Sequence, residues 1–207
     1  MVKLILVEGN NPPECSFKQK KCNGEKPSGL GHMVLVHGAG HGEWYWFKVK
    51  PLLEAAGYNV TTVQLGSALT TSLDSIQNIT FLNYSKPLFD LMKYIDHHKV
   101  MLVGHSFGGL SISVAMEKFP TKISVAVFVT AFMPDTAHKL SYVVREDFVL
   151  ISTLKRPGSF FPKDLDKIQL SEKKNGSVNR VYIIAKDDLA ITEDFQREMI
   201  ANYTVKK

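Results

Sequence analysis

In the stretch Gly104-His105-Ser106-Phe107-Gly108-Gly109 a serine stands between two glycines at the spacing G-x-S-x-G. That spacing suits a nucleophile carried on a sharp strand-to-helix turn, which holds the hydroxyl above the carboxyl edge of a sheet. Small residues are needed at such a turn because the backbone packs closely around a strained serine. The glycines would also serve a helix that merely packs close to a strand, as at the start of a nucleotide-binding unit. The context favours the nucleophile: an apolar run, Val100 to Val103, leads into the motif and a helical pattern leads out of it.

A serine that attacks a carbonyl needs donors for the oxyanion, an acid and a base. The N–H of Phe107 lies in the first turn of the following helix, where the helix dipole assists it. The second donor is expected from the loop His37-Gly38-Ala39-Gly40, with the Ala39 N–H chosen by position and Gly38 and His37 lining that binding loop. His37 itself reads as a structural hydrogen-bonder beneath the loop. Asp187 and Asp188 close the run Arg180 to Lys186 and supply the acid, Asp187 serving equally well as an exposed loop carboxylate or a helix cap.

The base is the difficulty. Hydrolases of this kind run in the order Ser, Asp, His, and no histidine follows Asp188. His105 is expected to point away from the hydroxyl. His32 and His41 belong to the leader or the entrance loop, His97 and His98 to the far edge of the sheet, and His138 to a short lid. None is assigned as the base, because an effective one must lie within hydrogen-bond reach of the serine.

The elements that must position these residues alternate. Strand-like runs at 33–38, 59–65, 99–105, 123–132 and 180–188 are separated by helical patterns at 44–57, 80–97, 107–119 and, after the last strand, 193–202. Short buried strands between amphipathic helices describe βαβ units and a mostly parallel sheet with helices on both faces. Pro120 stops the helix at 107–119. Between about 134 and 179 the alternation fails, leaving a reduced lid with at most a short helix near 146–155. Residues 1–32 read as a flexible leader, rich in Pro, Gly, Asn and Lys from residue 9 on, and 33–207 as one core domain.

The 207 residues carry a net charge of +5, yet the lysines are scattered among acids, so nothing marks a nucleic-acid surface. Cys15 and Cys22 match neither a redox pair nor a zinc site. No apolar run reaches membrane-spanning length, and a reducing, cytoplasmic setting is the default expectation.

The runs MVLVHGAGHGEWYWFKVKPLLEAAGYNVTTVQL, KVMLVGHSFGGLSISVAMEKFPTKISVAVFVTAFMPD and GSVNRVYIIAKDDLAITEDFQREMIAN resemble the plant methylesterases. That group includes salicylic acid-binding, methyl jasmonate and methyl indole-acetate esterases, polyneuridine aldehyde esterase and hydroxynitrile lyase cousins, all within the α/β-hydrolase superfamily. The resemblance runs from His32 to Asn202. It implies Ser106 as nucleophile, Ala39 and Phe107 as oxyanion donors and Asp188 as triad acid, with no cofactor, no metal and a small ester as substrate. It also allows a homodimer.

Two departures accompany it. Members of the group carry one more strand, a loop reading like G-A-D-H-M whose histidine is the base, and a final helix after the equivalent of 193–202. Their lid is also longer. The expectations that follow are an α/β-hydrolase fold without its last strand and helix, an open edge on the strand at 180–188, poor solubility and esterase turnover near background. A catalytically impaired relic that binds small acids or a protein partner is the alternative. Cyanohydrin cleavage ranks below both, since the lyase cousins carry threonine where this chain has Gly38.

Overall fold

The computed structural model describes residues 4–8, 29–66, 79–96, 98–145 and 162–203. Its strands are β1 (Leu4–Glu8), β2 (His32–Val36), β3 (Asn59–Val63), β4 (Val100–Ser106), β5 (Ile123–Ala131) and β6 (Arg180–Ile184). They form one sheet in the order β1-β6-β5-β4-β2-β3, and every ladder is parallel. The helices are α1 (Val49–Ala55), α2 (Phe81–Tyr84), α3 (Lys86–Tyr94), α4 (Gly108–Lys118), α5 (Tyr142–Arg145), α6 (Pro162–Leu165) and α7 (Glu193–Ala201). The lid helix expected near 146–155 and both cysteines lie outside the described residues.

Alternate side chains of the central strands serve different layers. Val34 and Val36 of β2 join a large apolar core with Leu102, Phe128 and Tyr182, against which Leu88 of α3, Leu110 of α4 and Met199 of α7 pack. Leu35, between those two valines, enters a smaller cluster on the other face with Trp46, Val60 and Val103, with Leu53 of α1 packed on it. A parallel sheet needs such cover on both sides, because its strands read as near-continuous apolar runs.

Two of the expected helices are split. The run 44–57 is a 3₁₀ turn at Glu43–Trp46 followed by α1, and the run 80–97 is α2 followed by α3. Pro51 and Pro87 are the third and second residues of α1 and α3. Proline has no N–H and is tolerated only in a helix's first turn, so in each case a new helix has to start just before it.

The expectations for the leader and for the edge of the last strand both need correction. Leu4–Glu8 is a strand, paired in parallel with β6 so that Leu4 lies opposite Arg180 and Glu8 opposite Ile184. His32 belongs to β2. The strand β6 is therefore interior, between β1 and β5, and its backbone groups are paired on both sides. An apolar run with β-branched Ile5 and Val7 suits a strand, and taking that edge pairs its backbone with β6 on one side.

Candidate active site

Strand β4 ends on Ser106, and α4 begins two residues later. Ser106 takes φ 52°, in the left-handed region, where a residue with a Cβ carries strain of about 1–3 kcal/mol. Close packing from the next strands enforces the bend. A Cβ on Gly108 would stand 2.7 Å from the carbonyl oxygens of both Val36 and His37, and one on Gly109 would stand 2.1 Å from that of Phe132. The Phe132 N–H donates to the Ser106 carbonyl at 3.1 Å, holding the serine backbone from the other side. The serine is partly exposed, and its hydroxyl has no hydrogen-bond partner among the described residues.

Phe107 has helical backbone angles just before α4, so its N–H belongs to the helix's positive end. Its ring is buried, edge-on to Phe81, Tyr84 and Phe132. The loop after β2 lies directly against the serine: a Cβ on Gly38 would come within 2.9 Å of the Ser106 Cβ and 3.2 Å of the His105 Nδ1. His37 is fully buried beneath this loop. Its Nδ1–H donates to the Gly38 carbonyl at 2.8 Å, and its Nε2 accepts the Leu65 N–H at 3.1 Å, which fixes the tautomer. The Gly38 carbonyl and the Ala39 N–H belong to one peptide and point in opposite directions. Gripping the first sets the direction of the second. Burial holds the His37 pKa below its ordinary value, so the ring stays neutral and serves as a fixed bracket.

Asp188 follows β6 in a loop held by α7. One carboxylate oxygen accepts the N–H groups of Ala190 at 2.8 Å and Ile191 at 3.1 Å, and the other accepts the Thr130 hydroxyl. Thr130 is itself at φ 38°, a second left-handed, β-branched residue in the penultimate position of β5. The buried Gln196 of α7 clamps the loop, donating to the Ala185 and Ile191 carbonyls at 2.9 and 2.6 Å and accepting the Ala185 N–H at 3.1 Å. Asp187 is exposed. Asp188 acts electrostatically on both Tyr45 and His105, which brings the acid to the same corner as the elbow.

His105 stacks on Tyr45 with ring centroids 4.6 Å apart, and its Nε2 lies 3.1 Å from the Tyr45 hydroxyl. Burial, followed by repulsion from His41, brings its pKa down to about 4, and its Nδ1 is buried without a partner. His32 and His98 share a hydrogen bond of 3.1 Å where β2 begins, at the amino end of the sheet. His138 is exposed and bonds Asp135 at 2.7 Å beside Tyr142. His97 lies outside the described residues.

The structure thus gathers Ser106, Phe107, Gly38, Ala39, His37 and Asp188 at one end of the sheet. Thr130, Tyr45 and Gln196 were not singled out from sequence, and His41 was weighed there only as a residue of the leader or entrance loop. Only Gln196 carried a signal, as part of the Phe195-Gln196 pair in the block that resembles the methylesterases. Among the described residues no group of three or more His, Cys, Asp or Glu side chains is placed to hold a metal, and no helix is long and apolar enough to cross a membrane.

A model of the alpha/beta hydrolase fold family matches residues 31–176. Methylesterase 2 of Arabidopsis thaliana is 44% identical over 83% of this chain and 84% of its own length. Salicylic acid-binding protein 2 of Nicotiana tabacum is 40% identical over 84% and 85%. The crystal structure of polyneuridine aldehyde esterase superposes with a TM-score of 0.75 at 36% identity, covering 86% of this chain and 88% of that one.

Proposed function

This chain belongs to the alpha/beta hydrolase family and, within it, to the plant methylesterase group, and on that footing we propose that it cleaves methyl esters of small signalling acids of the salicylate, jasmonate or indole-acetate type through Ser106. The observation that carries the reading is the left-handed serine at the end of β4, its hydroxyl without a hydrogen-bond partner among the described residues and its Cβ packed against Gly38.

In this reading Ser106 attacks the ester carbonyl and the oxyanion forms between the N–H groups of Ala39 and Phe107. Each such donor is worth roughly 3 kcal/mol of transition-state stabilisation. Asp188 supplies negative charge to the corner where a proton must be accepted. Water then releases the acid from the acyl-enzyme. No cofactor enters the chemistry, and the protein works in the cytoplasm on a small-molecule ester, without nucleic acid or membrane.

The test is labelling of the purified chain by a fluorophosphonate, alongside hydrolysis of p-nitrophenyl acetate. Labelling that maps to Ser106, with ester turnover abolished in Ser106→Ala, is the expected result. Equal turnover in that variant would defeat the reading. The relic reading rests on one observation of its own: among the described residues no imidazole nitrogen hydrogen-bonds the Ser106 hydroxyl. An inert serine that still binds small acids would favour it.

A further inference from the structure

Strand β5 slips against β4 at the level of the nucleophile. His105 lies opposite Val129 and Ser106 opposite Ala131, so Thr130 is the extra residue of a β-bulge. Bulges are uncommon in parallel pairs, and next to active sites they re-aim a side chain. Thr130 also shares the left-handed backbone region with Ser106, at φ 38° against 52°, and among the described residues no other non-glycine residue enters it. For a β-branched residue that conformation is strained, so the surroundings must hold it.

The surroundings are built for that. The buried Tyr182 hydroxyl donates to the Ala131 carbonyl at 2.8 Å and accepts the Ala131 N–H at 3.1 Å, standing in for a ladder partner just past the bulge. The pairing of β5 with β6 has by then ended, at Val129 and Ile183. One residue further on, the Phe132 N–H ties the chain to the Ser106 carbonyl at 3.1 Å. A second slip between β4 and β5, at Ser124, serves as a contrast. There the extra residue turns its hydroxyl back to the neighbouring strand, donating to the Val100 carbonyl at 3.0 Å. The buried Thr130 hydroxyl instead crosses to the loop after β6 and donates to Asp188.

That contact completes the setting of the carboxylate. One Asp188 oxygen is fixed from its own loop by the N–H groups of Ala190 and Ile191, at 2.8 and 3.1 Å. Bonds to one oxygen alone let the group pivot about it, and the Thr130 hydroxyl on the other oxygen fixes its plane. A carboxylate offers about four lone-pair sites, so these three bonds leave one, with a set direction. We infer that Thr130 is the positioning residue of the site's acid: the β5 bulge aims its hydroxyl at Asp188 and so sets where that carboxylate presents its remaining lone pair. The inference rests on the reading of Ser106 as nucleophile and Asp188 as acid.

The experiment is a double-mutant cycle on the rate of fluorophosphonate labelling of Ser106 in the full chain, at a temperature where circular dichroism shows each variant folded. Thr130→Val keeps the branched shape and Thr130→Ala eases the strain. Both lose the hydroxyl, and both should label about 10-fold more slowly or worse. Thr130→Ser keeps the hydroxyl and should retain most of the rate. Asp188→Asn should be slower still, and adding Thr130→Val or Thr130→Ala to it should change little, because nothing is left to orient. Wild-type rates in Thr130→Val and Thr130→Ala would overturn the inference, as would a Thr130→Ser variant as slow as they are. So would the same fold-loss in the Asp188→Asn background as in the wild type, which would make Thr130 a structural residue of the bulge. The reading beneath fails in its own way: a wild-type chain that does not label, or labels equally well after Asp188→Asn, removes the nucleophile or the acid and the inference with it.

Discussion

Two corners of the molecule use polar side chains in opposite ways. In the corner built from residues 37–46 and 104–109, the Ser106 hydroxyl and the His41 Nε2 have no partner among the described residues, the His105 Nδ1 is buried unpaired, and the serine backbone is strained. In the corner where residues 171–180 meet α7, most polar atoms are knitted together, the buried Arg180 Nε alone of its guanidinium nitrogens lacking a partner among the described residues. The buried Arg180 donates to the Val178 carbonyl at 2.9 Å and to both the carbonyl and side-chain oxygen of Asn175 at 2.6 Å, with the Tyr203 ring 3.7 Å from its guanidinium carbon. Tyr203 closes the circuit by donating to the same Asn175 oxygen at 3.0 Å. The second corner holds the chain's late segments in place, so the first can leave its groups poised for an incoming molecule.

The largest effect should come from breaking the knitted corner. Arg180→Ala takes the donor from the Val178 and Asn175 carbonyls, leaves the Asn175 side-chain oxygen to Tyr203 alone and opens a cavity, a loss on the order of 4 kcal/mol in urea unfolding. Arg180→Met, which fills the space without a charge, should recover part of it. Gly109→Ala drives a methyl into the Phe132 carbonyl and should cost about 2–3 kcal/mol, seen as a drop in Tm. If that variant is as stable as the wild type, the packing that enforces the serine bend is not there.

Gln196→Ala sharpens the comparison by joining the corners. It removes three hydrogen bonds and should cost about 2 kcal/mol, while freeing the loop that carries Asp188. Fluorophosphonate labelling of Ser106 should fall further than the stability loss explains, measured at a temperature where the variant is fully folded. One effect is absent at neutral pH and appears only on acidification. His105 is neutral when folded down to about pH 4, whereas the unfolded chain takes up that proton near 6.5. Protonation therefore favours the unfolded state, and the His105 contribution lowers stability as pH falls from about 6.5 to about 4 and is flat above. His105→Phe, which keeps a ring against Tyr45, should show a shallower decline over that range.

Most of the sheet was legible because five strands are short apolar runs separated by amphipathic or turn-rich stretches, and a buried parallel strand announces itself that way. The elbow was legible for a different reason: Gly104 and Gly108 stand on either side of Ser106 where neighbouring atoms leave no room for a Cβ, so the spacing itself reports the tight turn. Both helix splits were written at Pro51 and Pro87 as well. The partner of Leu4–Glu8 was not, since its ladder lies on a strand near the other end of the sequence and no local pattern names it. The place of Thr130 escaped for a similar reason. Which residue of an apolar strand is the extra one in a bulge depends on how β4 and β5 pair, and its partner Asp188 follows a different strand, neither of which periodicity encodes.

The ladder between β1 and β6 also sets a schedule. During synthesis Leu4–Glu8 is made long before Arg180–Ile184, so an apolar, hydrogen-bond-hungry segment waits through most of translation for its mate. Until β6 arrives it is open to capture by a chaperone or by a neighbouring nascent chain, and the joining of early and late segments closes that window.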